Sequence, residues 1–406
     1  MKAFINRLKD YLHRNHNELR YFWKYAVGAK LHFWKYRSRK VILFRLDLIG
    51  DCTMFTSAAL ALREFYKDRE MTMVCLSVSR PIYERLGVFN RIITVNFKPE
   101  AINWDIVDVL IAEIQDDTYD ILLQPQLSKF PIADIIAAAV KCNKRISIEP
   151  ITPHGNSSPV WIKMTNFLYN RFIPYPRGIV SEFDYYGAFV RGICDPNYRT
   201  TMPQLPYGEQ HLIEGDYYVL YPGGSLIQKF WPSDRFAKVA EHIYEETGLT
   251  GVILGSRNEQ WVSADLKRNL NTIVGLSVTD LTGRTSVSDV IDIIGNAKFV
   301  VTNDTSGVHI AAATNTPSVV NAGGWHFRRF LPYHIEDIKS NEYLPLVAYT
   351  EMPCYYCNWN WDVIGERNPD CLDRLKTGQP SSCISAVTVE QMIELVDQII
   401  EEEKLL

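Results

Sequence analysis

Residues 299–320, FVVTNDTSGVHIAAATNTPSVV, constrain the fold of this chain more than any other stretch. The apolar run 299–301 predicts a buried strand, residues 305–314 predict a helix, and a second strand is predicted over 317–320. A strand–helix–strand unit this compact makes the two strands parallel. The helix therefore begins at the carboxyl edge of a parallel sheet, where α/β proteins hold their ligands.

Polar side chains occupy the turn between the first strand and the helix. Asp304, Thr305 and Ser306 fall where the first helical N–H groups have no partner within the helix. Gly307 leaves room for a ligand to approach the backbone. Such a helix end attracts anions, and we expect a diphosphate to bind there. The alternative is that Asp304 or Thr305 serves only as the helix N-cap, a common role for both residue types.

Strands and helices alternate on both sides of a proline-rich middle stretch. Residues 150–206 carry many prolines and predict irregular structure ending in a linker. The alternation on either side predicts parallel sheets with right-handed crossovers. The predicted fold class is α/β, with two doubly wound domains facing a central cleft. Strands in the first half are predicted at 41–45, 72–78, 92–95, 121–124 and 146–148, and the pattern resumes at Tyr217.

The same changes of pattern set the expected domain boundaries. Residues 1–40 form a basic, aromatic N-terminal extension, and residues 41–206 form the first α/β domain. Residues 207–385 form the second domain, which contains a cysteine-bearing segment near its end. Residues 386–406 contain a final helix, which we expect to pack back on the first domain.

The turn after the first strand, RLDLIGD, carries ionisable side chains toward the expected cleft. It contains Arg45, Asp47 and Asp51 but no G-x-G-x-x-G, which argues against a dinucleotide-dependent oxidoreductase. A carboxylate at such a turn can accept a proton from a hydroxyl group within hydrogen-bond reach, and we expect this of Asp51. The competing interpretation is an N-cap at Asp51 and a turn residue at Asp47.

Further polar residues follow the strands of the second half. YPGGSLIQKFWP offers two glycines for close approach of a ligand, a serine donor and a lysine that can reach a phosphate. LGSRNE places an acid where nucleotide-binding folds hold ribose hydroxyls, and LTGRTS adds an arginine. The candidate binding residues in these motifs are Gly223, Gly224, Ser225, Lys229, Glu259 and Arg284.

Together these motifs resemble glycosyltransferase family 9, the heptosyltransferase family of lipopolysaccharide core assembly. The resemblance covers about residues 41–400. It implies a GT-B fold, with the nucleotide-sugar in the C-terminal domain and the acceptor in the N-terminal domain. Five motifs carry it in the family's order: RLDLIGD (45–51), PGGSLIQKFWP (222–232), GSRNE (255–259), LTGRTS (281–286) and NDTSGVHIAAA (303–313).

The resemblance also implies an activity. Members of the family are similar in carrying out inverting, metal-independent sugar transfer without a cofactor. The implied donor is a nucleotide-diphosphate sugar, with ADP-heptose expected, and the implied acceptor is lipopolysaccharide core or a similar glycolipid. The alternatives are a nucleotide-sugar epimerase of GT-B shape, or a non-catalytic nucleotide-sugar-binding protein. The presence of both Asp51 and Lys229 argues against the non-catalytic alternative.

By position, the resemblance assigns roles to single residues. Asp51 matches the general base, Lys229 the diphosphate-binding lysine and Glu259 the ribose-binding acid. One departure is that the family's usual Asp-Ser-Gly-Pro-x-His is Asp-Thr-Ser-Gly-Val-His here, which leaves the donor sugar open. The remaining matches are Asp304, Thr305, Ser306 and His309 around the sugar and phosphates, with Arg45 and Asp47 on the acceptor side.

Charge is distributed unevenly along the chain. Residues 1–40 hold eleven Lys or Arg against two acids, or about +9, whereas the whole chain carries −4. Nine aromatics are interleaved with them, which favours an anionic membrane surface over a nucleic-acid arm or a solvated extension. No run of about eighteen apolar residues and no signal-peptide pattern occurs. We therefore expect a cytoplasmic protein, peripheral on the inner face of the inner membrane.

Four of the eight cysteines gather near the end of the chain, as C-x2-C-x13-C-x11-C. One C-x2-C pair is half of a zinc-site pattern, and the second half is missing. Cys354, Cys357, Cys371 and Cys383 are therefore either metal ligands or reduced thiols packed beside tryptophans.

Overall fold

A computed structural model of the protein describes residues 16–31, 35–96, 102–127, 130–150, 159–178, 180–357, 374 and 376–405. Within these ranges the chain forms two six-stranded sheets. Each sheet lies in its own compact unit.

The first sheet has the strand order β3-β2-β1-β4-β5-β6, with parallel pairing throughout. Its strands are β1 (Val41–Arg45), β2 (Met71–Leu76), β3 (Arg91–Val95), β4 (Tyr119–Gln124), β5 (Cys142–Ile148) and β6 (Arg171–Ile173). The helices of this half of the chain are α1 (His16–Leu31), α2 (Ile49–Met54), α3 (Thr56–Phe65), α4 (Arg80–Leu86), α5 (Trp104–Gln115), α6 (Pro131–Ala139), α7 (Pro159–Thr165) and α8 (Glu182–Ile193).

The second sheet has the order β9-β8-β7-β10-β11-β12, again with parallel pairing. Its strands are β7 (Tyr217–Tyr221), β8 (Thr250–Ile253), β9 (Val278–Asp280), β10 (Val300–Asn303), β11 (Ser318–Asn321) and β12 (Leu346–Ala348). The helices are α9 (Ser233–Thr247), α10 (Gln260–Leu270), α11 (Val287–Gly295), α12 (Ser306–Ala313), α13 (Ser382–Ala386) and α14 (Val389–Glu402).

Both sheets have the same connectivity. In each, the chain steps outward twice from a central strand, β1 or β7, and then crosses to the other side of that strand. Every residue of β1 and β7 is buried, as expected when helices cover both faces of a parallel sheet. The predicted α/β class with doubly wound sheets is confirmed. Ligands of such sheets bind at the carboxyl ends of the strands where the order reverses.

The middle stretch, residues 150–206, contains more regular structure than its sequence predicts. It holds α7, the edge strand β6 and α8. Pro159 is the first residue of α7, where the missing N–H needs no partner, so a proline there does not oppose a helix. β6 has three residues, too few for a periodic signal. The prediction of irregular structure is therefore wrong for these segments.

The two units differ in extent from the predicted domains. Besides the residues from Tyr198 onward, the second unit contains Ile49–Ala58 and Pro176–Gly187. The first of these segments carries α2, which packs on α12. Contacts between segments far apart in the sequence decide which unit contains α2. Hydrophobic periodicity in the sequence does not predict such contacts.

Helix α1 is part of the first unit and of its core. Tyr21, Phe22 and Ala26 are buried in the same apolar cluster as the sheet residues, and α1 packs along α6. Tyr21 also stacks on Trp104 of α5, with 4.2 Å between ring centroids. The predicted separate extension is therefore wrong for residues 16–31, because one face of this helix is apolar enough to join the core.

Other parts of the predicted extension, residues 1–15 and 32–34, lie outside the described residues. They include Phe4, Tyr11, Phe33 and Trp34. Among the described helices, none combines the length and the apolar character needed to cross a membrane.

The final helix, α14, packs within the second unit. Met392, Val396 and Ile399 are buried in that unit's core, against α9 and the strands β11 and β12. This position differs from the predicted packing on the first domain. The apolar face of α14 is taken up by the sheet that immediately precedes it in the chain.

Because Phe22 is fully buried, Phe22→Ala is expected to lower the free energy of unfolding of the first unit by about 3–5 kcal/mol. Trp23→Ala, on the exposed side of the same helix, is the matched control and should cost less than about 1 kcal/mol. Denaturant unfolding followed by circular dichroism measures both. Equal, small effects of the two substitutions would show that α1 is not part of the core.

Candidate active site

A glycine turn follows β7 and brings two other segments very close. A Cβ atom on Gly223 would overlap the carboxylate of Glu259, and one on Gly224 would lie 2.7 Å from Cγ2 of Thr305. Cβ atoms are not found at such separations, so a larger residue at either position would have to displace Glu259 or Thr305. These glycines were predicted to let a ligand approach the backbone at a strand end. In the structure, side chains of the protein itself make this close approach.

Glu259 ends a short 3-10 turn after β8 and is buried. Its Oε2 atom accepts a hydrogen bond from the N–H of Ser256, which completes a capping box. The Oε1 side of the carboxylate faces Gly223. The carboxylate is thus fixed in position beside the glycine turn by its own backbone.

Lys229 and Asp304 form an ion pair at the start of α12. Nζ of Lys229 lies 3.2 Å from Oδ2 of Asp304 and donates to the carbonyl oxygen of the same residue at 3.1 Å. The Lys229 and Asp304 side chains are only 14% and 10% exposed. The ammonium group also lies 4.9 Å from the ring centroid of Trp325. A positive charge is therefore held, with little solvent around it, at a helix N-terminus.

Thr305 is the N-cap of α12, and its hydroxyl accepts from the N–H of Gly307 at 3.4 Å. The N-cap interpretation is correct for Thr305, while Asp304 pairs with Lys229. Ser306 lies 3.5 Å from the hydroxyl of Tyr221, at the end of β7. One cap does not use all four N–H groups of the first turn, so this helix end retains donors for an anion.

Asn303, the last residue of β10, ties this region together. Its amide group donates to the carbonyl oxygens of Pro222 and Gly223 in the glycine turn. Its Oδ1 accepts from the N–H of Trp231 at 3.2 Å and from the side chain of Asn321 at 2.8 Å. Sequence reasoning treated Asn303 only as a turn residue. Its position at a strand end, one residue before Asp304, was the available signal.

His309 lies on α12 under the helix α2. A Cβ on Gly50 would come within 2.9 Å of Cδ2 of His309, so α2 approaches α12 closely at this glycine. Nδ1 of His309 is 2.6 Å from the hydroxyl of Tyr333, and the two rings stack. Burial lowers the pKa of His309 to about 4; Lys229 acts in the same direction and Asp304 against it. At neutral pH the imidazole is uncharged.

Asp51 lies in the first turn of α2, next to Gly50. Its backbone carbonyl accepts from the hydroxyl of Tyr186 at 3.4 Å. Arg329 supplies positive charge to this region: burial opposes its ionisation, but the charges of Glu182 and Asp51 raise its pKa. Nε of Arg329 donates to Glu182 at 2.9 Å, and the N–H of Glu182 donates to the carbonyl of Arg329 at 2.7 Å. Sequence reasoning missed Arg329 and Glu182.

The structure does not join every predicted residue to this cluster. Ser225 and Arg284 are exposed in their turns. In the first unit, Arg45 is buried and lies 3.0 Å from Asp47, whose Oδ1 accepts from Gln126 at 2.6 Å. Asp47 is therefore held by its own neighbours in the first sheet.

Of the four cysteines near the end of the chain, Cys371 lies outside the described residues. Cys383 is partly buried, and its Sγ would lie 3.0 Å from a Cβ on Gly323. In the part of the chain that the structure describes, no three His, Cys, Asp or Glu side chains are placed to hold a metal ion.

Comparison with known proteins finds similarity to one family over part of the chain. The model of glycosyltransferase family 9 (heptosyltransferase) matches residues 182–321. Lipooligosaccharide heptosyltransferase 2 of Haemophilus influenzae is 33% identical over 95 residues, which are 23% of this chain and 27% of that protein. The lipopolysaccharide core heptosyltransferase OpsX of the same species is 19% identical over 291 residues, 69% of this chain and 78% of that protein. Over this part of its length the chain is similar to glycosyltransferase family 9.

The fold is also similar to that of solved heptosyltransferases. The structure of the ADP-heptose lipopolysaccharide heptosyltransferase II of Escherichia coli superimposes with a TM-score of 0.63 at 17% identity, over 90% of this chain and 99% of that one. The fold class is GT-B, as the family resemblance predicted. Lys229, Glu259 and Asp304 lie inside the segment matched by the family 9 model, and Asp51 and Arg329 lie outside it. The matched part of the first relative named is about a quarter of its length.

The buried imidazole of His309 predicts a dependence of stability on pH. The unfolded chain binds a proton near pH 6.5, whereas the folded chain binds it only near pH 4. Between these values the unfolded state holds more protons, so this group destabilises the fold as pH falls, by up to about 1.4 kcal/mol per pH unit. His309→Gln should remove that part of the slope between pH 7 and 4.

Tyr333→Phe is the matched control, because it removes the hydroxyl contact and keeps the buried imidazole. It should retain the wild-type slope in denaturant unfolding measured across the pH range. Identical slopes for His309→Gln and wild type would show that His309 does not titrate between the folded and unfolded states in this range.

Proposed function

We propose that the protein is an inverting glycosyltransferase that moves a heptose or related sugar from a nucleotide-diphosphate donor to a glycolipid acceptor. One observation carries the proposal. The Lys229–Asp304 pair at the N-terminus of α12 and Asp51 on α2, which packs on α12, belong to the same compact unit. The helix α12 thus supports both the positive charge of Lys229, which can bind a diphosphate, and the carboxylate of Asp51, which can act as a base.

The donor diphosphate is proposed to bind at the start of α12. The Lys229 ammonium and the free N–H groups of the helix terminus are both complementary to a diphosphate. Glu259, fixed beside Gly223, is suited to accept hydrogen bonds from the ribose hydroxyls. The segment matched by the family 9 model contains all three parts, which supports the proposal.

The positions of Asp51, Lys229 and the N-terminus of α12 are suited to an inverting sugar transfer. The acceptor hydroxyl oxygen attacks the anomeric carbon while its proton passes to the carboxylate of Asp51. The bond from the anomeric carbon to the diphosphate oxygen breaks, and the nucleoside diphosphate leaves with the electron pair. Attack on the face opposite the leaving group inverts the configuration. The charge that develops on the leaving oxygen is stabilised by Lys229 and the helix N-terminus, an electrostatic effect strengthened by their low exposure.

Arg329 and Glu182 are proposed to keep Asp51 ready for this role. Asp51 is partly exposed and interacts electrostatically with Arg329, and a nearby guanidinium favours the ionised form that a base requires. Glu182 contacts Arg329 through both its carboxylate and its backbone N–H, so the guanidinium has little freedom to move away. His309, uncharged and buried beside Gly50, supplies the packing between α12 and α2.

ADP-heptose is the proposed donor, and lipopolysaccharide core or a similar glycolipid the proposed acceptor. Support comes from the relatives, which are named as heptosyltransferases of lipooligosaccharide and lipopolysaccharide, and from the E. coli structure named for ADP-heptose. The acceptor is an amphiphile held in a membrane. We therefore propose that the protein acts as a peripheral enzyme at the cytoplasmic face of the inner membrane.

Asp51→Asn is expected to lower turnover by about 10²–10⁴-fold, the range that a general base contributes. Donor affinity should stay near the wild-type value, because the base acts on the acceptor. Release of ADP from ADP-heptose in the presence of a lipopolysaccharide-core acceptor measures turnover, and calorimetry with ADP measures affinity. Asp68→Asn, an exposed carboxylate of the first unit, is the control. Turnover within about tenfold of wild type would remove Asp51 from this role.

Lys229→Ala is expected to weaken ADP binding by about tenfold or more, since hydrogen bonds to charged groups contribute about 1.5–3 kcal/mol. It also leaves the buried Asp304 carboxylate without its cation, so the thermal midpoint should fall. The double variant Lys229→Ala with Asp304→Asn removes that unpaired charge and separates the two effects. It should regain stability and keep the weak ADP binding.

Lys298→Ala is the matched control, because this lysine pairs with Asp216 elsewhere in the second unit. Calorimetric titration with ADP and thermal unfolding are measured on all three variants. Wild-type ADP affinity in the double variant would mean that Lys229 serves only to neutralise Asp304.

A further inference from the structure

Four large apolar side chains are exposed on α1 and on the segment from α7 to residue 168. Trp23 and Val27 lie one turn apart on α1, and Val160 and Phe167 lie two turns apart on the second segment. They are between 38% and 57% exposed. Single exposed apolar residues are common, but a group on packed neighbouring elements marks an interaction surface. We call these four residues the α1/α7 surface.

The aromatic part of this surface is held rigidly. The rings of Trp23 and Phe167 stack with 5.7 Å between centroids and 16° between planes. Phe22, fully buried beneath them, contacts Phe167 and Trp161 edge-on. An exposed Trp–Phe stack fixed on a core residue loses little conformational entropy when it enters another apolar phase.

Basic side chains surround the apolar ones. Arg20 lies one helical turn before Trp23, Lys24 follows it directly, and Lys163 lies one turn after Val160. All three are exposed. Two acids lie near α1: Glu18 is partly buried, and the exposed Asp108 on α5 accepts a hydrogen bond from the hydroxyl of Tyr21. The surface is therefore apolar at its centre and positive at its edge.

We propose that the α1/α7 surface docks on an anionic phospholipid bilayer. Tryptophan favours the headgroup level of a membrane, where its ring is in apolar surroundings and its N–H remains hydrated. Exposed Lys and Arg beside it gain attraction from anionic lipid that falls with salt. This inference goes beyond the proposed transfer reaction, since it assigns membrane contact to a folded face of the first unit and needs no active-site residue.

The location of the surface decides how it is tested. Deleting the chain up to residue 37 would remove Phe22 and Ala26 from the core and confound loss of docking with loss of folding. Substitutions of exposed residues avoid this. The full-length double variant Trp23→Ser with Phe167→Ser removes the apolar centre. The full-length double variant Lys24→Gln with Lys163→Gln reduces the positive edge.

The experiment measures sedimentation with vesicles of equimolar phosphatidylcholine and phosphatidylglycerol, and with vesicles of phosphatidylcholine alone. Wild type should sediment with the anionic vesicles, and less as salt rises. Each double variant should show an apparent partition coefficient at least about tenfold lower, from lost apolar burial or lost electrostatic attraction. Phe65→Ser, another exposed aromatic of the first unit, is the matched control and should sediment like wild type.

Calorimetry with ADP on the same variants keeps this test separate from the proposed function, because membrane docking and donor binding use different residues. Equal sedimentation of wild type and both double variants would overturn the proposal, even if residues 1–15 bind lipid by themselves. So would failure of wild type to bind anionic vesicles, which would leave the surface to a protein partner. Should the aromatic variant unfold, as judged by circular dichroism, the charge variant decides the outcome.

Discussion

The side chain of Asn303 joins the carboxyl ends of two neighbouring strands, and the candidate active site depends on this connection. Asn303 ends β10, while the carbonyl oxygens that it binds lie in the glycine turn after β7. Its Oδ1 also accepts a hydrogen bond from the N–H of Trp231, which lies just before α9. A buried amide with all its partners satisfied is a rigid link. Lys229, between that turn and Trp231, is thereby carried to the start of α12.

From this link the remaining parts of the site follow by close packing. Gly223 and Gly224 let Glu259 and Thr305 lie against the turn, at separations where an added Cβ would displace these side chains. On the other side of α12, Gly50 allows His309 and the helix α2 to approach each other. Three glycines and one asparagine thus determine where the charged side chains lie. The charged residues Lys229, Glu259 and Asp51 are suited to ligands only because the uncharged ones fix their positions.

The α1 helix shows the same dependence on packing in the first unit. Its sequence mixes aromatic and basic residues, and the pattern alone suggested a single amphipathic arm. In the structure the aromatics divide into two groups with different surroundings. Tyr21 and Phe22 are buried in the core, while Trp23 stacks on Phe167 at the surface. Which aromatic faces inward depends on where α6 lies, and α6 is more than a hundred residues away in the chain.

The sequence by itself determined the class of the fold and the positions of the strand ends that matter. Apolar strands followed at once by polar turns predicted β1, β7, β8 and β10, and the chemistry of those turns predicted Asp51, Lys229, Glu259 and Asp304. Local pattern suffices here because parallel strands present their carboxyl ends at one edge. Only the tertiary structure joined Arg329 and Glu182, 147 residues apart, to the same unit as Asp51, and gave α2 to the second unit. Those associations rest on packing between distant segments, which leaves no periodic trace in the sequence.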